Sequence, residues 1–169
     1  MAIGAAMMSS ASCEWATPQA LVDRCAAECG GFDLDPCCDH GTQKAPRYYT
    51  ATDDGLRMPW AGRVWLNPPW ARRRGMSIEP WLCSAYQATR GGDCSVVYAL
   101  VPARPDTRWW AKWATLAHEV RLLKGRVKFV AEDGVRAGAP FPSALLIYRA
   151  GPLPPAPSVW LSWEARGGV

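Results

Sequence analysis

Asn67-Pro68-Pro69-Trp70 is the segment of this sequence best suited to chemistry. It follows Arg63-Val64-Trp65-Leu66, a short apolar run that reads as a strand. Two prolines without amide donors cannot continue a strand through a sheet interior, so the Asn sits where strand gives way to loop. In open α/β sheets, ligands bind beyond the carboxyl ends of the strands. There the amide oxygen of Asn67 can accept one N–H of an exocyclic amino group. The Pro68 carbonyl, held stiff by Pro69, can accept the other. Both bonds turn the nitrogen lone pair towards an electrophile, which is what methylation of a planar amine requires. Trp70 offers a face for a base extruded from its duplex. The competing reading is a proline-stiffened turn that carries a packed tryptophan.

The elements around this segment follow from periodicity and punctuation. Thr17-Pro18 supplies an N-cap hydroxyl and a first-turn proline. Leu21, Val22, Cys25, Ala26 and Cys29 then recur at helical spacing up to Gly30-Gly31. Phe32 to Asp35 reads as a short strand running into Pro36, and residues 37–62 as mostly loop with a strand near Tyr48-Tyr49. Glu79 to Arg90 reads as a helix, and Cys94 to Val101 is apolar enough for a central strand covered on both faces. Asp106 is placed to cap a helix bearing Trp109, Trp110 and Trp113. Strands at Val120–Leu123 and Arg126–Val130 flank Lys124-Gly125, and Ser143–Tyr148 is a further apolar run. Helices alternate with strands up to about residue 120 and strands dominate afterwards. That layout predicts an α/β fold with a mainly parallel sheet and an antiparallel edge hairpin.

At 169 residues the chain has room for one domain. We divide it into a loose leader at 1–13, a folded domain at 14–150 and a Pro-rich tail at 151–169 that ends near Trp160 and Trp163. No apolar run approaches the roughly 20 residues of a membrane helix, and the leader lacks the basic start of a signal peptide. A net charge of +4 suits an anionic partner without demanding one. Seven cysteines, an odd number, argue against a disulfide framework and for a reducing, cytoplasmic setting. Cys25, Cys29, Cys37, Cys38 and His40 lie close in sequence. Cys25 and Cys29 fit one helical turn, however, so buried thiols are favoured over a zinc site and no metal is expected.

The order and spacing of several blocks resemble the phage-type DNA N-6-adenine methyltransferases. The blocks are Glu14 to Pro18 (EWATP), Phe32 to Pro36 (FDLDP), Tyr49 to Leu56 (YTATDDGL) and Val64 to Trp70 (VWLNPPW). Leu100 to Ala103, Asp106 to Trp110, Gly125 to Phe129 and Pro142-Ser143 continue the series. The resemblance covers roughly residues 14 to 148 and implies an abbreviated Rossmann-like class I methyltransferase fold. It implies S-adenosylmethionine as cofactor and adenine in DNA as substrate. It makes Asn67, Pro68, Pro69 and Trp70 the catalytic motif and places the Thr-Pro and Asp-Pro segments at the cofactor.

Chemistry refines those roles. Asp35 can bind the cofactor's ammonium, with Pro36 beside it, and Thr17 at a helix N-terminus can hold its carboxylate, flanked by Trp15 and Pro18. Gly41 would let backbone approach the ligand, and Asp53 or Asp54 could take the ribose or the cofactor's adenine. Asn67 faces both substrates. An Asp before Pro is also a common turn residue, and paired Asp a common solvated loop. The usual glycine-rich cofactor signature is replaced here by Asp35 to Gly41 (DPCCDHG), and the short interval to Asn67 leaves little room for further βα units. Arg72, Arg73 and Arg74, next to the motif, suit phosphate oxygens, with Lys124, Arg126 and Lys128 as a second basic stretch. His118 reads as structural. Other readings are a methyltransferase for cytosine N4, an RNA base or a glutamine amide, and a non-catalytic DNA-binding or anti-restriction protein. Oligomeric state is left open.

Overall fold

The computed structural model describes residues 16–70, 77–130 and 136–164. Among them, seven strands form one sheet: β1 (Leu34–Asp35), β2 (Arg47–Tyr48), β3 (Gly62–Leu66), β4 (Cys94–Pro102), β5 (Glu119–Lys124), β8 (Ser143–Arg149) and β9 (Ser158–Glu164). The spatial order is β2-β1-β3-β4-β8-β5-β9. Strands β2, β1, β3 and β4 are mutually parallel, and β9 runs parallel to β5. Strand β8 pairs antiparallel with both β4 and β5. The expected α/β fold with a mainly parallel sheet is present.

Its antiparallel element sits elsewhere than expected. Strand β8 lies inside the sheet rather than at an edge, which suits the unbroken apolar run at 143–148. Nor do the strands on either side of Gly125 form a hairpin. Strand β5 stays in the main sheet, while β6 (Lys128–Val130) pairs with β7 (Arg136–Gly138) in a separate two-stranded ribbon. The tail boundary at 151 also shifts, because Ser158–Glu164 hydrogen-bonds along β5 as β9.

Helices cover both faces. The register of β4 shows why: Val97, Ala99 and Val101 enter one apolar cluster and Val96, Tyr98 and Leu100 the other, the period-two alternation of a doubly covered strand. Helix α1 (Gln19–Cys29) packs Leu21, Val22 and Cys25 into the second cluster. Helices α2 (Ile78–Gly91) and α3 (Arg108–Trp113) supply Leu82, Ala85 and Trp113 to the first. Burial pushes the Cys25 thiol up to about 12, in keeping with its packing role. Among the described residues, no group of three or more His, Cys, Asp or Glu is arranged to hold a metal.

Two helix starts differ from the sequence reading. Pro18, not Thr17, occupies the cap position of α1, and no side chain caps it. Thr107 rather than Asp106 caps α3, its hydroxyl accepting from the Trp110 amide, while Asp106 is forked by Arg104. Arg104 thus removes Asp106 from the competition for the cap.

The loop after β2 packs onto the turn after β1 with no room to spare. A Cβ at Gly55 would lie 2.0 Å from the Pro36 carbonyl oxygen and 3.4 Å from the Trp81 ring. The Gly55 carbonyl also accepts the Trp60 indole N–H at 2.8 Å. Gly55→Ala is therefore expected to cost about 1–3 kcal/mol, because backbone on both sides must move. Urea unfolding measures this, and an unchanged midpoint would show that the loop can lift off the turn freely.

Candidate active site

The register brings the carboxyl ends of β1 and β3 side by side. Leu34 pairs with Val64, so Asp35 stands level with Trp65, two residues before Asn67. A narrow cleft opens at this end of the sheet. Thr17 and Ala16 line it from the segment just before α1, and Asp35, Trp65 and Asn67 from the strand ends. Cys37, Cys38, Thr42 and Lys44 line it from the intervening loop. Three residues singled out in separate sequence blocks, Thr17, Asp35 and Asn67, thus meet in one cavity.

Asp35 is buried, at 2% exposure. Its Oδ1 accepts the Cys37 amide at 3.3 Å and its Oδ2 the Lys44 amide at 3.0 Å. The carboxylate therefore does organise the turn, as an Asp before Pro commonly does, while also facing the cleft. Burial raises its pKa from 3.8 to about 6, against the opposing pull of the two amides. Thr17 is buried beside it. The Lys44 ammonium bonds the Gln19 side chain at 3.2 Å, and desolvation pulls its pKa down.

Two buried polar atoms of the cleft residues have no hydrogen-bond partner among the described residues: Asn67 Oδ1 and Trp65 Nε1. Buried polar groups in folded proteins are nearly always paired, and each exception calls for an explanation. Pro68 is buried and Pro69 half-buried beyond Asn67. The Trp70 indole N–H donates to the Leu100 carbonyl at 3.3 Å, and its ring meets Phe129 edge-on with centroids 5.4 Å apart. That fixes the ring plane while leaving the side chain partly exposed.

The remaining sequence candidates are placed less centrally. Pro18 begins α1, and the Pro36 carbonyl is the surface against which Gly55 packs. Gly41 takes a positive φ of 85°, and a Cβ there would meet nothing within 4 Å. Its glycine serves the turn, which Thr42 closes onto Asp39. Asp53 and Asp54 do not line the cleft. The Asp53 carboxylate accepts the Thr50 amide and hydroxyl at 2.7 and 2.8 Å, and Asp54 pairs with Arg57 on the surface. Lys124, Arg126 and Lys128 are exposed. Lys124 pairs with Glu164, and Arg126 donates to the Ala139 carbonyl. Trp15, Arg72, Arg73 and Arg74 lie outside the described residues. His118 accepts the Arg149 amide through Nδ1 and meets the Pro152 carbonyl through Nε2, a structural role for both nitrogens. Trp65 was absent from the sequence candidates. Its signal was available in hindsight, since side chains two apart on a strand share a face.

The family model described as DNA N-6-adenine-methyltransferase (Dam) matches residues 5–154. No curated protein matches the chain. Among solved structures, a candidate RNA methyltransferase from Pyrococcus horikoshii superposes with a TM-score of 0.53 at 12% identity, covering 85% of this chain and 91% of that one. At such low identity the likeness concerns the fold, a Rossmann-like methyltransferase fold. With the family match extending over most of its length, the chain belongs to the DNA N-6-adenine-methyltransferase family.

Proposed function

We propose that this chain transfers a methyl group from S-adenosylmethionine to N6 of adenine in DNA, with the cleft between β1 and β3 as the site of transfer. The supporting observation is Asn67 Oδ1, a buried acceptor without a partner among the described residues, in the same cleft as Asp35 and Thr17. The donor set fits the amino-acid end of the cofactor. Asp35 would hold the ammonium, and Thr17 the carboxylate from the start of α1, where helix polarity favours an anion. The cleft is narrow, so it would take no more than this end and leave the adenosine towards the surface. When bound, the cofactor supplies a methyl group activated by a sulfonium.

The chain's own residues do the rest. Asn67 and the Pro68 carbonyl accept the two N6 hydrogens of an extruded adenine, and Pro69 keeps that carbonyl in place. Trp70, anchored by Leu100 and Phe129, presents its ring to the base. After transfer the nitrogen loses one proton to water. Incubation with unmethylated DNA and cofactor, followed by nucleoside mass spectrometry, should yield N6-methyldeoxyadenosine. Methylated cytosine alone, or no product, would overturn the assignment.

Asp35 gives the reading a pH signature. Its pKa in the free protein, about 6, lies above the 3.8 of an ordinary Asp. Ionising it inside the fold therefore costs stability, and the free protein should lose stability as pH rises between those two values. An ammonium partner requires the carboxylate. Cofactor affinity should thus climb about tenfold per unit up to pH ~6 and level off above it. Asp35→Asn should weaken binding and flatten the profile. Calorimetry from pH 5 to 8 checks both, and a flat wild-type profile would detach Asp35 from the ammonium.

For DNA, we assign phosphate contacts to Arg72, Arg73 and Arg74 and to the exposed stretch Lys124, Arg126 and Lys128. Arg126 and Lys128 alternate with Val127 and Phe129, which pack in the core cluster that Trp70 joins. Each phosphate contact contributes roughly 0.9 to the slope of log affinity against log salt. Changing the three consecutive arginines to Ala should flatten that slope by about 2 to 3 units. Equal slopes would move the DNA track to residues 124–128 alone.

A further inference from the structure

The Asn67 oxygen is accounted for by the target amine, but Trp65 is not used in that scheme. Its side chain is 0% exposed, it lines the cleft, and its Nε1–H meets no acceptor among the described residues. The Trp113 indole N–H is likewise unpartnered, yet it lies in the opposite core cluster and away from the cleft. What distinguishes Trp65 is an unpaired buried donor on a residue that lines the cleft. An indole N–H can only donate, so its partner must be an acceptor.

Register says which acceptor is within reach. Leu34 and Val64 are paired and both enter the apolar cluster on the α2 side. The next residue on each strand turns to the opposite face, which puts Asp35 and Trp65 side by side on the α1 face. Neighbouring strands run about 4.8 Å apart. If Asp35 holds the ammonium of an amino acid, its carboxylate, attached to the same carbon, falls between Asp35 and the residues around it. Of the cofactor's groups, that carboxylate is the strongest acceptor. Thr17 and Lys44 line the same cleft and add a hydroxyl and a cation.

We infer that the Trp65 indole N–H is a positioning donor for the methionyl carboxylate of S-adenosylmethionine. This rests on the functional reading above and extends it to a residue outside the catalytic motif. The bond fixes the amino-acid end against β3, and so sets where the transferable methyl group lies relative to Asn67.

A hydrogen bond to a charged acceptor accounts for roughly 10- to 100-fold in affinity. The test is calorimetric titration of the full chain with S-adenosylmethionine and with its decarboxylated form. Wild type should prefer the carboxylated ligand. Trp65→Phe should lose roughly 10- to 100-fold of affinity for S-adenosylmethionine while leaving the decarboxylated ligand nearly unaffected. Benzothienylalanine in place of Trp65 keeps the ring volume and removes only the N–H. It should reproduce the selective loss, and it decides the matter if the phenylalanine variant does not fold. Equal weakening of both ligands, or unchanged S-adenosylmethionine affinity, would overturn the inference and leave the functional reading standing. A wild-type protein that binds neither ligand would instead remove the functional reading, and this inference with it.

Discussion

Asn67→Ala is expected to slow methyl transfer by about 10²–10³-fold while leaving S-adenosylmethionine affinity within a few-fold of wild type. The side chain sits at the end of β3 with its oxygen buried and unpaired among the described residues, so its truncation disturbs no other bond there. What it removes is the acceptor that holds the target amine as charge builds on nitrogen. Loss of one such preorganised group typically lowers kcat by about 10²–10³-fold. Asn67→Leu, which keeps the volume, should be equally slowed. Asn67→Asp keeps an acceptor and should retain detectable transfer. Single-turnover rates with saturating cofactor, alongside calorimetric affinity, separate the two effects. Normal turnover in Asn67→Ala would return Asn67-Pro68-Pro69-Trp70 to a stiffened turn.

The parts of this protein that were readable in sequence share a physical basis: they are local. The strand ending at Leu66 was legible because two prolines cannot continue a strand, and β4 because its β-branched apolar run from Cys94 to Val101 suits a strand covered on both faces. Asp35 and Thr17 were legible as chemistry, but their meeting in one cleft depends on the β1–β3 register. What was missed is tertiary. The stretch at 126–130 is strand-like by composition, yet its partner is 136–138 rather than its sequence neighbour. Gly41 and Gly55 look alike in sequence, but only Gly55 is pressed against another backbone. Asp53 carries no mark showing that Thr50 will occupy its carboxylate. Trp65 is legible in sequence only as a strand residue, because an indole's unpaired N–H appears only when all its neighbours are placed.

The largest stability effect should come from Arg121, far from the catalytic motif in sequence. It lies in β5 with its side chain 7% exposed and holds two carboxylates at once. Its guanidinium donates to both oxygens of Glu28 on α1, at 2.8 and 2.7 Å, and to Glu119 on its own strand at 2.7 Å. The rings of Tyr98, Trp160 and Trp163 surround it, with centroids 6.0, 5.7 and 5.3 Å away. Arg149 adds a second cation to Glu119, and Tyr98 donates its hydroxyl to Glu28. Burial alone would push Glu119 up, but the hydrogen bonds from Arg149 and Arg121 outweigh it and hold its pKa below the ordinary value. The cluster ties α1, β4, β5, β8 and β9 together, and so secures the helix whose opposite end brings Thr17 to the cleft. Arg121→Ala leaves Glu28 without its cation and Glu119 with Arg149 alone, and opens a cavity among three rings. Such a break is expected to cost about 3–5 kcal/mol in urea unfolding. Because Glu119 is held below its unfolded value, the stability it provides should fade as pH drops through its depressed folded pKa. Arg121→Met keeps much of the volume and should still be destabilised, since the carboxylates remain. Adding Glu28→Gln and Glu119→Gln to Arg121→Met should recover most of that loss, because it is stranded charge rather than a missing attraction that dominates. If the triple variant were as unstable as Arg121→Met, the contribution of Arg121 would be its packing against the aromatic rings, and the ion pairs would matter little.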